Sequence, residues 1–547
     1  MNTRANEKMA IAALLAASAV FFFYRLGSFA LIGPDEPRYA QVAREMLQRR
    51  DLITPTIGGH LWAEKPVLSY WLMMLSMSLV GVNEWGARLP SAFLAMLTAL
   101  AVYATGRRLI SRRFGFLSAL VLITSVMFAG FAHAASTDMP LSATMAWGMC
   151  SFLLFEREPP ARASGWMLLA SACFALAVLA KGLVGIVLPA GIIGTYGLLT
   201  GQWRRIRDAQ LFPGVVVFLA IASSWYGPVI AKHGRTFIDE FFISHHFQRF
   251  ITPKFHHPGP PYYFLPVILL GLFPWTAFLV SAMARSRWSD LRKGDFRDRL
   301  RWFSIIWILV PLVFFSLSQS KLPGYILPVL PAGAFLVGDE LDRLFATGMD
   351  RRWTILLYAT SALVIAVGAS GVLYARRALS VSDGGGIMIL GVAMVTGIAL
   401  LYFGWKQQFR WAIAVIVLGS AVALVIVMRS YLPVIESKES LRSLAQIALR
   451  EMKPGERIIG YYAFHHSLTF YTNARSFYDE KGNVIVARSP EELQDWVRRE
   501  GSVLCVTRDD IFEDLVKDVR FRIQPLGRQR RMVLMRIRLA LEEEKRR

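Results

Sequence analysis

Cysteine is nearly missing from this chain, with three in 547 residues. Cys150 and Cys173 fall inside apolar runs and Cys505 stands alone near the end, so neither a disulfide framework nor a cysteine metal site follows. Acidic residues are also scarce, 39 Asp and Glu against 61 Lys and Arg, which leaves a formal charge of +22. A basic excess can mark a nucleic-acid binder. Here the cations lie mostly in short loops between apolar runs, a distribution that orients helices in a membrane, and no nucleic-acid partner is expected. There is no internal repeat with a period of about 20–50 residues, and no inverted pair of halves as in transporters. No small-residue cleavage site follows the first apolar run, which therefore reads as a retained helix and not a removed leader.

What the chain has is apolar length. Hydrophobic residues make up 54% of it, in runs recurring from residue 9 to about 430. Each run is near 20 residues, enough to cross about 30 Å of hydrocarbon as a helix that satisfies its own backbone. The sequence predicts a polytopic α-helical membrane protein. Arg4 and Lys8 place the N-terminus in the cytoplasm, and a helix over about 9–29 leaves it. The stretch "PVLSYWLMMLSMSLVG" (66–81) is about 16 residues long. If it crossed, the arginines of "GRRLISRRFG" (106–115) would fall outside, so it is read as interfacial. Arg204, Arg205, Arg207, the block 284–301, Arg351–Arg352 and Lys406–Arg410 then all fall inside. This reading predicts about 13 transmembrane helices, ending near residue 430, and a membrane domain over 1–435. The tail, 436–547, is different material. "RIIGYY" and "SVLCVT" read as buried strands, "SLRSLAQIALREM" has helical apolar spacing, and "SPEELQDWVRRE" opens with a capping-box pattern. A small outer α/β domain is expected there.

The outer loops carry the chemistry. In "LIGPDEPRYA", Asp35 either starts a helix on the membrane surface or faces a site; Glu36 points about 100° away on a helical turn. In "GGHLWAEKPV", Glu64 and Lys65 are a solvated ion pair or part of that site. Asp138 in "STDMP" carries the same ambiguity between helix start and site. "FFISHHFQRFITPKFHHPGPP" brings His245, Arg249 and further histidines, a set able to bind a divalent cation together with carboxylates, or simply to hydrogen-bond itself. Lys321 and Tyr325 in "SKLPGY" suit a phosphate. Lys181 interrupts an apolar run, where a charge either snorkels or faces an anion. All these groups share one side of the predicted topology, and independent helix caps have no reason to do so.

With the "DE" of Asp35-Glu36, the "EKP" of 64–66, "TDMP", "HHFQRF" and "SKLPGY…ILPVLP" in this order, the chain resembles the GT-C glycosyltransferases that use polyprenyl-phosphate sugars. Among these it looks most like the lipid A 4-amino-4-deoxy-L-arabinose transferases. The departure is Val67, where relatives that glycosylate proteins often carry a second proline. The resemblance implies a GT-C fold with interfacial helices in the first periplasmic loop. It implies an inverting transfer of aminoarabinose from undecaprenyl phosphate to lipid A phosphates at the periplasmic face of the bacterial inner membrane, lowering surface charge and giving resistance to polymyxin and cationic peptides. Asp35 and Asp138 are the expected catalytic residues, and Lys65, Arg249, Lys321, Tyr325 and Lys181 the donor-phosphate ligands. Glu64 and His245 are expected to hold a divalent metal, with zinc as a candidate. No nucleotide cofactor is expected, and the state is read as a monomer. The alternatives are a related GT-C enzyme moving a hexose or uronic acid to lipid or protein, or a transporter of lipid-linked sugar.

Overall fold

The computed structural model describes residues 3–201, 211–248, 259–348, 350–374, 376–377, 383–453, 456, 458–463, 465–473, 478 and 485–540. The chain forms two units. The first comprises Met1–Leu26, Ala63–Ser69 and Arg88–Tyr431. The second comprises Gly27–Trp62, Tyr70–Ala87 and Leu432–Arg547. The second unit therefore combines two pieces of the first loop with the C-terminal stretch.

Among the described residues nine helices are long and apolar enough to span a membrane, or eleven if two bent pairs each count once. The expected 13 is not reached on those terms. The bent pairs are Arg112–Thr124 with Val126–Ala132, at 67°, and Phe264–Gly271 with Thr276–Ala284, at 114°. The second break contains Pro274, which cannot donate a backbone hydrogen bond. Two further helices fall outside the count. Val184–Thr200 has 17 residues. Asp138–Arg157 carries Ser142, Thr144 and Glu156, but nearly all its residues are buried, so protein and not lipid covers its polar groups.

That helix and the next, Pro160–Lys181, are joined by only Glu158 and Pro159. With 20 and 22 residues they are matched in length, so the start of one and the end of the other arrive at the same end of the pair. A third element begins with the short 3-10 turn Pro323–Val329 and continues as helix Leu330–Thr347. Farther along this helix Asp339, Glu340 and Asp342 are buried, and arginines from three other helices reach them. Arg301 meets Asp339 at 2.7 Å, Arg113 and Arg297 meet Asp342 at 2.6 and 2.8 Å, and Arg352 meets Glu340 at 3.0 Å. Buried charges persist only when paired, and this network locks one end of the helix whose other end carries the "SKLPGY" turn.

In the second unit, Asp35–Arg49 forms a helix followed by a small hairpin, β1 (Thr56–Ile57) and β2 (His60–Leu61). The stretch expected to lie in the interface is the helix Leu68–Val80, whose 13 residues rise about 20 Å, too little to cross. The tail is a five-stranded sheet of β3 (Ile458–Tyr461), β4 (Val486–Ala487), β5 (Val503–Arg508), β6 (Phe521–Gln529) and β7 (Met532–Leu539). The strands lie in the order β4-β3-β5-β7-β6. β3 runs parallel to β4 and β5, and the other pairings are antiparallel. Val503, Cys505, Val533 and Met535 alternate onto one face and pack with Leu493, Val497, Phe512 and Leu515 from the covering helices. Ser489 caps the helix Pro490–Glu500 by accepting the Glu492 N–H at 3.2 Å, and the Glu492 carboxylate accepts the Arg488 N–H at 2.7 Å. The expected α/β domain and its capping box are present.

Candidate active site

The first unit gathers a set of charged and aromatic side chains at the shared end of the helix pair. Asp138 opens one helix and Lys181 ends the other, and they form an ion pair. The helix dipoles favour this arrangement, an acid at an N-terminus facing a base at a C-terminus. Gly182 ends the lysine's helix with a φ of +76°, which glycine adopts without strain. The ammonium also sits 4.8 Å from the centroid of the Tyr325 ring, within reach for a cation–π contact. Gly324 lies against Asp138 so closely that a Cβ there would come within 2.5 Å of Asp138 Oδ2. "TDMP", the Lys181 terminus and "SKLPGY" are therefore one assembly.

Lys321 is buried in the same turn, and its ammonium donates to the Ser318 carbonyl oxygen at 2.5 Å. Among the described residues no carboxylate pairs with it. Glu64 and Lys65 form an ion pair at 2.8 Å, with both side chains 11% exposed. Leu68, one turn beyond, packs against Leu141, Ala177 and Ala180, within a turn of Asp138 and Lys181 along their helices. Among the described residues Asp138 and Glu64 each have a lysine, and Lys321 is met by no carboxylate. The site suits an anion.

Asp35 belongs to the second unit. It opens the helix Asp35–Arg49, as one of its two expected readings had it, with Pro34 at the cap position and no side-chain cap bond there. The acid that turns back to the loop is Glu36, buried, whose Oε2 accepts the Ile32 N–H at 2.8 Å. Asp35 is half-exposed and ion-paired with Arg38. The Arg38 guanidinium lies 5.4 Å from the Trp62 ring centroid and 6.0 Å from that of Tyr39. The two acids thus have different partners, Glu36 the loop backbone and Asp35 the Arg38 guanidinium.

Of the remaining expected residues, Arg249 lies outside the described residues, as does the His245 side chain. Among the described residues no three His, Cys, Asp or Glu side chains gather as a metal set, and Glu64 is engaged by Lys65. Sequence reasoning missed Gly324, visible only as the fourth letter of "SKLPGY". It also missed Arg38, whose i,i+3 spacing from Asp35 was available as a signal.

A family model described as dolichyl-phosphate-mannose-protein mannosyltransferase matches residues 9–236. The crystal structure of ArnT from Cupriavidus metallidurans bound to undecaprenyl phosphate superposes with a TM-score of 0.79 at 26% identity, covering 97% of this chain and 98% of that one. Fold and site define a multi-pass membrane glycosyltransferase of the GT-C class. The undecaprenyl phosphate-alpha-4-amino-4-deoxy-L-arabinose arabinosyl transferase of Pectobacterium carotovorum subsp. carotovorum is 30% identical over 446 residues, 79% of this chain and 78% of that protein. Transferase 1 of that name from Pseudomonas fluorescens is 30% identical over 441 residues, 77% and 74% of the two chains. The chain belongs to this arabinosyl transferase family.

Proposed function

We propose that this enzyme transfers 4-amino-4-deoxy-L-arabinose from undecaprenyl phosphate to phosphate groups of lipid A, as a monomer at the periplasmic face of the inner membrane. The relatives carry this sugar and carrier in their names, and the related crystal structure holds undecaprenyl phosphate. The observation that carries the reading in this chain is Lys321, a buried cation that no carboxylate meets among the described residues, four residues before the Tyr325 whose ring Lys181 contacts.

In a single inverting displacement, an acceptor phosphate oxygen forms the bond to the anomeric carbon. The bond from that carbon to the carrier phosphate breaks, and undecaprenyl phosphate leaves with the electron pair. No proton need move, because the acceptor is already ionised near neutral pH. The demand falls on the leaving phosphate, whose growing charge is best met by fixed cations in a site that excludes water. Lys321, Tyr325 and Lys65 supply such groups, with Arg249 assigned to the same phosphate. Lys181 is held by Asp138, which keeps it in place over Tyr325. Asp35, open on one side, takes the sugar's ammonium or orients the acceptor. A divalent ion on Glu64 and His245 is a separate part of this reading; two protein ligands leave the rest of its shell to water, and no step is assigned to it.

Mass spectrometry of lipid A from cells with and without the protein tests the proposal. One added pentosamine on a phosphate is expected, abolished by Asp35→Ala at unchanged protein level. A hexose or uronic acid mass replaces the sugar assignment, and unaltered lipid A overturns the proposal. Neutralised surface phosphates then weaken the binding of polymyxin and other cationic peptides.

A further inference from the structure

The loop Leu31–Pro34, which delivers Asp35, has its backbone fixed by side chains. The Ile32 N–H goes to Glu36, and the Leu31 N–H donates to the phenolic oxygen of Tyr471 at 2.9 Å. Gly33 follows with a φ of +66°, and then Pro34. Tyr471 ends the helix His466–Tyr471 of the α/β domain, 440 residues away in the chain. Its hydroxyl donates in turn to Glu84 Oε1 at 2.8 Å, so both its donor and its acceptor capacity are used. Glu84 is buried and is also met by Arg442 at 3.1 Å. Burial and the Glu84 charge hold the Tyr471 phenol well above its ordinary range, which keeps it a donor. The same helix grips the Asp35 helix farther along. Arg44 donates to the Phe470 carbonyl oxygen at 2.6 Å, with its guanidinium 4.2 Å from the Phe470 ring centroid.

We propose that Tyr471 is a positioning residue for transfer, holding the Leu31 amide and so the loop that sets the place of Asp35. This rests on the reading of Asp35 as an acting carboxylate. The reasoning is geometric. Glu36 pins Ile32 from within the same helix, so that bond moves with the helix and cannot locate it. Among the described residues Tyr471 is the side chain of the five-stranded sheet domain that holds the loop backbone. A misplacement of about 1 Å at a reacting group is enough to slow a reaction by about a hundredfold.

The test uses the full-length protein and Tyr471→Phe, which keeps the ring and removes the hydroxyl. Faster hydrogen exchange at Leu31 is expected, with the amides of β5 and β7 unchanged. The kcat is expected to fall by about tenfold with the donor KM within about twofold, the split that marks loss of an interaction serving the transition state. Unchanged Leu31 exchange, or native kcat, overturns the proposal. Arg44→Met separates positioning from general docking: it is expected to lower the unfolding temperature and leave Leu31 exchange as it was. An equal loss of kcat there also overturns the proposal. Native activity in Asp35→Ala removes the reading of Asp35 itself. An inactive Asp35→Ala beside a fully active Tyr471→Phe removes only the positioning role.

Discussion

Lys321→Met is expected to move stability and donor binding in opposite directions. Lys321 is 8% exposed, and its ammonium has the Ser318 carbonyl oxygen as partner. Burying a cation without a counter-charge costs several kcal/mol, and one hydrogen bond from a charged group returns about 1.5–3 kcal/mol. Methionine has a similar length and no charge, so the ligand-free protein is expected to gain about 1–2 kcal/mol. With a phosphate against the ammonium the balance reverses. Unit charges 4 Å apart attract by about 4 kcal/mol at an effective dielectric near 20. A hydrogen bond between charged groups realises about 1.5–3 kcal/mol of this as net binding. At about 1.4 kcal/mol per factor of ten, the substitution weakens the carrier phosphate by roughly 10–100-fold. Thermal unfolding in detergent, with and without added undecaprenyl phosphate, reads both effects at once. The variant should melt higher alone and gain less from the lipid. A lower melting temperature alone, with the lipid-induced rise intact, refutes the assignment of Lys321 as a phosphate ligand.

Three further outcomes follow from the geometry. Gly324→Ala places a Cβ 2.5 Å from Asp138 Oδ2 and must displace that carboxylate or the turn; transfer should fall at least about tenfold with a stability loss of about 1–3 kcal/mol, and a native rate counts against the assembly. Burial holds the His465 imidazole below its ordinary pKa of 6.5, while its Nδ1 lies 2.7 Å from Ser467 Oγ at the start of the Tyr471 helix. As pH falls the unfolded chain binds the proton first, so stability present above about pH 6.5 is lost below it; exchange of the 466–471 amides should accelerate between pH 7.5 and 5.5, and His465→Asn should flatten that response. For the metal, Glu64→Ala and chelator treatment should each reduce transfer and remove a bound ion; full activity with no ion found after both discards the ion's role.

How much was readable beforehand depended on what enforces each feature. The spanning helices were legible because lipid demands long apolar runs. The count fell short where protein replaces lipid, as around the polar helix Asp138–Arg157. Asp138, Lys181 and Tyr325 were each visible as groups out of place in their surroundings. That they form one contact came from the matched lengths of two helices and the close approach of Gly324. The 100° argument expected Asp35 and Glu36 to face different ways, and they meet different partners, Arg38 and the Ile32 N–H, but the loop bond of Glu36 had no signal in the sequence. Tyr471 had no signal at all: "LTFYT" in the tail gives no hint of a partner in the first loop.

That remote partner has a consequence for how the enzyme is made. Leu31 and Tyr471 are separated by 440 residues, which a ribosome working at about 5–20 residues per second takes roughly 20–90 seconds to add. Throughout that interval the loop bearing Asp35 has left the membrane while the hydroxyl that pins it does not yet exist. A nascent or prematurely ended chain can therefore insert most of its helices and still lack a fastened Asp35. If Tyr471 positions Asp35 as proposed, full activity is reached only when the last domain has been made, and a fragment that ends before it transfers sugar more slowly.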